Sequence, residues 1–250
     1  MGKLITDKKY EIHFYEVDYK GRVLFTSLMN YFGDISSKQS EDRNMGFDYL
    51  KKVNMAWVLY KWNVKVHRYP TYREKVTART VPYSFRKFYA YRKFYILDIE
   101  GNVLVEADSL WFLIDVETRK PVRVQEEMYT GYCLSKDDNE VIDIPKITAP
   151  KENDFCKTFD VRYSDIDTNG HVNNSKYISW ILEAVPLNIV TEYMLSNLII
   201  TYEKETTYGE VIDSCAEVHE IDGKAICKHK IIDKEGNKLT VAETTWEKEI

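Results

Sequence analysis

The chain has 250 residues, room for two domains of about 100–150 residues each, and its 44% hydrophobic content suffices for a full core. A net charge of −5 gives no general attraction for nucleic acid or an anionic membrane, so any basic contact surface must be local. The N-terminus carries no apolar run of signal-peptide length, and no stretch approaches the ~20 apolar residues of a membrane span. The four cysteines, Cys133, Cys156, Cys215 and Cys227, have neither metal-ligand spacing nor the density of a disulfide framework. They are expected to be reduced structural thiols in a cytoplasmic protein.

Tyr10, Ile12 and Phe14 alternate with Glu11 and His13, the period-2 pattern of a half-buried strand. A polar stretch, Glu16-Val17-Asp18-Tyr19-Lys20-Gly21-Arg22, follows, and then Phe25, Leu28, Phe32 and Ile35 form a helical stripe. Strands are expected over 56–66, 74–82, 87–97 and 103–115, helped by an unusual abundance of tyrosine, 19 in all. From 126 to 154 the composition is that of a linker: Gly131, two prolines and the charged run Lys136-Asp137-Asp138-Asn139-Glu140.

After the linker the layout returns, displaced by 149 positions. Tyr10, Ile12 and Phe14 fall on Phe159, Val161 and Tyr163, and Asp18, Gly21 and Val23 fall on Asp167, Gly170 and Val172. Ile178, Ile181, Leu182 and Val185 make the second helical stripe, over 177–186, with Asn173, Asn174 or Ser175 as its cap. Strands follow over 198–206, 211–220, 224–233 and 238–247. The segments 98–111 and 233–246 align without a gap at seven identical positions in fourteen, each carrying a Glu-Gly-Asn hairpin turn. The chain is therefore an internal duplication: a first repeat over 1–125, a linker over 126–154, and a second repeat over 155–250. Each repeat is an α+β layer pair, one helix against one antiparallel sheet.

The repeats differ where chemistry would sit. The second carries Asp165-Ile166-Asp167-Thr168-Asn169-Gly170-His171-Val172-Asn173-Asn174 between its strand and its helix. Capping chemistry explains any one of these side chains, since Asp and Asn favour turns by bonding their own backbone. A cap needs one such residue, however, and Asp167, Asn169 and His171 come together. Opposite Asn169 and His171 the first repeat has Lys20 and Arg22, so only the second can host the whole constellation.

Extended through Ser175-Lys176-Tyr177-Ile178-Ser179-Trp180-Ile181-Leu182-Glu183, this string closely resembles the signature of acyl-[acyl carrier protein] thioesterases. These are double hotdog-fold enzymes of plants and bacteria that release fatty acids from the carrier. Tyr15-Glu16-Val17-Asp18, Trp57-Val58-Leu59, Arg68-Tyr69-Pro70, and Trp111 through Asp115-Val116-Glu117-Thr118-Arg119 are similar to strings of that family's first half. The resemblance implies a tandem hotdog fold, each half a long helix packed on an antiparallel sheet. It also implies active residues at Asp167, Asn169, His171 and, from the string Tyr202-Glu203-Lys204-Glu205-Thr206, Glu205. Plant members carry Cys next; Thr206 stands here, which excludes a cysteine nucleophile at that position.

Thioester hydrolysis needs a base or nucleophile, an oxyanion site and a dry slot for the acyl chain. Asp167 or Glu205 could activate water or attack directly, with His171 and Asn169 orienting the water or the carbonyl. The backbone N–H groups of Val172 and Asn173, at the helix start, are the expected oxyanion donors. The first repeat, lacking the constellation, offers Phe25, Leu28, Met29, Phe32, Met55 and Trp57 as acyl-binding walls. A carrier protein, being strongly acidic, would dock on a local basic patch, for which Arg86, Lys87, Arg92 and Lys93, or Arg119, Lys120 and Arg123, are the candidates. His67, His219 and His229 sit singly, so no metal and no cofactor are expected. A homodimer is compatible with the chain. The rival readings are an acyl-coenzyme A thioesterase of the same fold and a non-catalytic acyl-binding protein.

Overall fold

The computed structural model describes residues 3–248. The chain divides into two compact units, residues 1–60 with 66–143, and residues 61–65 with 144–250.

In the first unit the sheet order is β1 (Thr6–Glu11), β3 (Lys75–Arg86), β4 (Tyr89–Leu97), β5 (Val103–Asp115) and β2 (Met55–Val66). The recorded pairings from β1 to β5 are antiparallel. Helix α1 (Phe25–Asp42) buries Phe25, Leu28, Met29, Phe32 and Ile35, the i, i+3, i+4 stripe that one helix face presents. Phe32 meets Phe94 of β4 at a ring-centroid distance of 5.1 Å. The helix stops at Arg43, and the next residue, Asn44, takes φ +55°, a left-handed residue that ends many helices. A short helix α2 (Phe47–Lys52) leads into β2.

The expected linker is not uniform. Residues 126–131 form helix α3 (Glu126–Gly131), and Met128, Tyr132 and Leu134 are buried against Phe85, Ala90, Leu113 and Val124. Apolar side chains spaced through a charged stretch bury it in the first unit, which runs to residue 143. The sequence reading placed its end at 125, misled by Gly131 and the acidic run.

The second unit repeats the connectivity. Its strands are β6 (Phe155–Asp160), β7 (Tyr193–Tyr202), β8 (Val211–Ile221), β9 (Lys224–Asp233) and β10 (Lys238–Lys248), in the order β7-β10-β9-β8-β6. Residues 61–65 lie antiparallel along β7. Counted from the first strand of each unit, the two orders are the same. Helix α4 (Asn174–Glu183) buries Tyr177, Ile178, Trp180 and Ile181. It is ten residues long against eighteen for α1, because Pro186 cannot continue a helix; α5 (Leu187–Glu192) restarts beyond it.

The duplication reaches single hydrogen bonds. Asn102 donates backbone and side-chain N–H to the two oxygens of Asp98, at 2.8 and 2.9 Å. Asn237 does the same to Asp233, at 2.7 and 2.9 Å.

The thiols depart from expectation. Cys156 and Cys215 form a disulfide, at a Cα–Cα distance of 4.1 Å. They are direct partners in the β6–β8 register, which brings side chains 59 positions apart in sequence onto the same side of neighbouring strands. Cys133 and Cys227 are free. Burial pushes the Cys227 thiol up to about 12.

Candidate active site

Beyond β6 the chain makes a 3₁₀ turn over Tyr163–Asp165 and then doubles back. Ile166 bridges Val172, the N–H of Asp167 donates to His171 O at 2.8 Å, and that of Gly170 to Asp167 O at 3.1 Å. The turn demands φ +80° at Gly170, a conformation that costs glycine nothing and other residues much. Asp167 knits the loop together: Oδ1 accepts the N–H of Asn169 at 2.8 Å and of His171 at 3.4 Å, and Oδ2 the side-chain amide of Asn169 at 3.4 Å. Of the three cap candidates, Asn173 is the N-cap, its Oδ1 accepting the Ser175 N–H at 2.9 Å.

Asp165 is the anchor under this turn. It is fully buried, accepting the Arg162 N–H at 2.9 Å and the Arg162 guanidinium at 3.0 and 3.2 Å, with Lys176 Nζ at 3.5 Å. Burial pulls its pKa upward, but the bonds and charge of Arg162 override that and hold it below the ordinary carboxylate value. Sequence reading gave Asp165 no role. The signal was there: the first unit has Glu16 at the matching place, also bonded back three residues, to His13 N at 2.8 Å. A carboxylate in both repeats marks scaffolding.

The strand expected over 198–206 ends at Tyr202. Glu203 and Lys204 both donate their N–H to Leu239 O, at 2.8 and 3.1 Å, and the chain then bends toward the turn. Thr206 is held from two sides: its carbonyl accepts the N–H of Val172 at 3.0 Å, and its own N–H donates to the Tyr177 hydroxyl at 3.2 Å. This grip sets Glu205 Oε2 3.3 Å from His171 Nε2. Asp167, Asn169, His171 and Glu205 thus come from one loop and one strand end of a single unit, with Asn169 exposed and the other three half-buried.

The expected oxyanion donors do not survive. The Val172 N–H is spent on Thr206 O, and that of Asn173 on Asp165 O at 2.8 Å. Both bonds build the site rather than face it. Sequence reading missed Tyr177 as well, naming it only as the first residue of the helical segment. Burial pushes its hydroxyl up to about 12; the Thr206 N–H works against that, and the charges of Glu205 and Asp167 add to it.

The first unit shows the same loop without the chemistry. Asp18 Oδ1 accepts the N–H of Lys20 at 2.8 Å and of Arg22 at 3.0 Å, and Gly21 takes φ +75°. Arg22, in the place of His171, forms an ion pair with Asp18 at 3.3 Å. Val23 N donates to Pro70 O at 2.9 Å, as Val172 does to Thr206, so Tyr69 stands where Glu205 does.

Among the remaining candidates, Phe25, Leu28, Met29 and Phe32 lie in the core under α1, whereas Met55 and Trp57 pack on the separate cluster around Phe85 and Met128. Of the basic residues, Arg92 is no docking group. It shares the inward face of β4 with Phe94 and Ile96, donating to Gln39 Oε1 at 2.5 Å and Thr80 Oγ1 at 2.9 Å, and burial lowers its pKa. Lys93 is taken by Asp108 at 3.0 Å. Arg86, Lys87, Arg119, Lys120 and Arg123 are exposed. The Val124 N–H donates to Lys87 O at 2.8 Å, which sets Arg123 beside the Arg86–Lys87 turn. His67 pairs with Glu106, His219 with Glu217, and buried His229 with Thr244. No group of three or more His, Cys, Asp or Glu among the described residues could hold a metal. No helix among them is long and apolar enough to cross a membrane.

A helix-on-sheet unit used twice, with one complete polar centre at the head of the second helix, defines a tandem hotdog protein. The model of the acyl-ACP thioesterase N-terminal domain matches residues 3–132, and that of the C-terminal domain residues 148–248. The chain belongs to the acyl-ACP thioesterase family. It is 27% identical over 274 residues to the chloroplastic palmitoyl-acyl carrier protein thioesterase of Gossypium hirsutum, covering 98% of this chain and 66% of that protein. With the dodecanoyl-[acyl-carrier-protein] hydrolase of Cinnamomum camphora it shares 26% over 258 residues, 97% of this chain and 68% of that one. An acyl-[acyl-carrier-protein] hydrolase of Cuphea viscosissima is spanned over 62% of its length, so the chain reaches just under two thirds of several of these plant proteins. A Lactobacillus plantarum crystal structure provisionally named an oleoyl thioesterase superposes with a TM-score of 0.89 at 26% identity, over 98% of this chain and 97% of that one. An acyl-ACP thioesterase from Bacteroides thetaiotaomicron gives 0.85 at 22% identity, over 97% and 98%, and shares the fold.

Proposed function

We propose that this chain hydrolyses fatty acyl thioesters carried on acyl carrier protein, releasing free fatty acid and ending chain growth in fatty acid synthesis. The observation that carries the reading is the His171–Glu205 pair, 3.3 Å apart, at the turn of the unit matched by the family's C-terminal model. Asp167 spends its oxygens on the turn, as Asp18 does in the unit without the chemistry. That leaves Glu205 as the base, drawing a proton from water as the water oxygen bonds the thioester carbon. His171, 3.3 Å from that carboxylate, orients it, takes the proton on from Glu205 and delivers it to the departing thiolate as the C–S bond breaks. With the Val172 and Asn173 N–H groups spent, the side-chain amide of Asn169 is the donor to the developing oxyanion. The exposed basic residues at the Arg86–Lys87 turn and at Arg123 are the docking face for the acidic carrier, with Arg119 and Lys120 as further exposed cations.

The test is hydrolysis of a panel of acyl chain lengths, each on acyl carrier protein and on coenzyme A. Carrier-linked substrates should be preferred, and Glu205→Gln or His171→Ala should cut turnover ~10²–10⁴-fold. A preference for coenzyme A would move the reading to the acyl-coenzyme A class. No hydrolysis of either would leave an acyl-binding protein.

A further inference from the structure

The carboxylate at the centre of this site sits on a strand end that no longer belongs to a ladder. Beyond Tyr202, β7 has left its pairing with β10, yet Glu205 must be held to a fraction of an ångström against His171. Two hydrogen bonds hold the peptide of Thr206, the next residue. One is the Val172 N–H, from the catalytic turn. The other is the phenol of Tyr177, one turn into α4, which accepts the Thr206 N–H at 3.2 Å. Tyr177 is 2% exposed and Thr206 6%, so water does not replace this bond. The ring itself is fixed by Trp180 and Tyr202, at centroid distances of 5.6 and 5.7 Å.

We propose that Tyr177 is a positioning residue for thioester hydrolysis, its hydroxyl setting the strand end that presents Glu205 to His171. The inference rests on the hydrolase reading for its kinetic consequence, but its structural consequence stands alone. A hydroxyl is required at this point and a ring is not sufficient, because the Thr206 N–H needs an acceptor in a place water does not reach. The tyrosine thus links the three parts of the centre: helix α4 through its backbone, the turn through Val172 and Thr206, and the base through the residue beside it. Its charge environment agrees, since Glu205 and Asp167 both act on the phenol.

Tyr177→Phe tests this, since it keeps the ring and removes one oxygen. Tyr193→Phe is the control: it deletes another hydroxyl of the same unit, one bonded to Glu220 at 2.9 Å, with no tie to the turn. With the carrier-linked substrate, Tyr177→Phe should lower kcat about 10–100-fold, the scale on which misplaced catalytic groups lose rate, and leave KM within about threefold because no substrate contact is removed. Tyr193→Phe should leave kcat as in the wild type. Independently of activity, the Thr206 amide should lose hydrogen-exchange protection in Tyr177→Phe, and the NMR chemical shifts of the His171 ring, at fixed pH, should move. If the unaltered chain hydrolyses nothing, the function reading fails while the exchange and chemical-shift arms still decide the inference. A Tyr177→Phe protein with wild-type kcat, Thr206 protection and His171 chemical shifts would overturn it, as would an equal loss of kcat in Tyr193→Phe.

Discussion

Replacing Cys156 and Cys215 together by alanine should remove a large share of the protein's stability. The disulfide closes a chain segment of 59 positions, and a loop of that length loses roughly 14 cal/mol/K of unfolded-state entropy on cross-linking, about 4 kcal/mol at 25 °C. For a chain of 250 residues, at about 2–4 °C per kcal/mol, the melting temperature should fall by about 8–16 °C. The local reason matters as much as the number. β6 is an edge strand whose six residues are exposed but for Phe159, which is half-buried, so little apolar burial holds it to β8. The assay is thermal unfolding followed by circular dichroism, with and without a dithiol reductant. Reductant should bring the wild type down to the melting temperature of the variant and leave the variant unmoved. Thiol titration of the unreduced, denatured protein should count the two free cysteines, Cys133 and Cys227. Four reactive thiols, or a melting temperature indifferent to both reductant and substitution, would refute the argument.

Burial lowers the pKa of His229 from 6.5 to about 3. The unfolded chain therefore takes up a proton below pH 6.5 that the folded chain refuses, so this stability is present above 6.5 and is lost as pH falls, at about 1.4 kcal/mol per unit; urea midpoints at pH 7.5 and 5 should converge in His229→Gln, and an unchanged slope would sink the idea. Thr206→Ala should leave turnover within about threefold of wild type, because the backbone of that residue does the holding and no nucleophile is asked of its side chain; a dead variant would reverse that assignment. Charge reversal at Arg86 or Arg123 should lower kcat/KM for carrier-linked substrate at low salt and spare the coenzyme A form, since rim charges act chiefly on association; equal effects on both would remove the docking patch. Arg92→Glu should instead lower the melting temperature, as it puts a carboxylate against Gln39 Oε1 in the core; unaltered stability would return Arg92 to the surface.

Much of this fold was legible because duplication repeats its own evidence. An offset of 149 between the polar turns and of 135 between the Glu-Gly-Asn hairpins located both sheets and both helices, and the place of the polar centre came with them. Pairings at a distance were not legible. Nothing local says that the Val172 N–H will be spent on Thr206 or that of Asn173 on Asp165, because a backbone donor carries no mark of its acceptor. The disulfide needed the β6–β8 register, which spacing alone does not supply. Arg92 was legible and misread: it alternates in phase with Phe94 and Ile96 along β4, and period 2 places all three on the face toward α1.

The two matching loops carry a consequence for how many active centres one chain would hold under the hydrolase proposal. Arg22 closes this loop on Asp18 as an ion pair, and a guanidinium, unlike the imidazole in its place in the second unit, does not serve as a proton relay. Restoring histidine there would not revive it, since Tyr69 stands where the carboxylate must be. A second working centre would need new residues at positions 20, 22 and 69 at once, and single steps toward it gain nothing while each loosens a stable turn. Titration with a tight-binding, non-hydrolysable thioester analogue should therefore saturate at one equivalent per chain, although the architecture was copied twice.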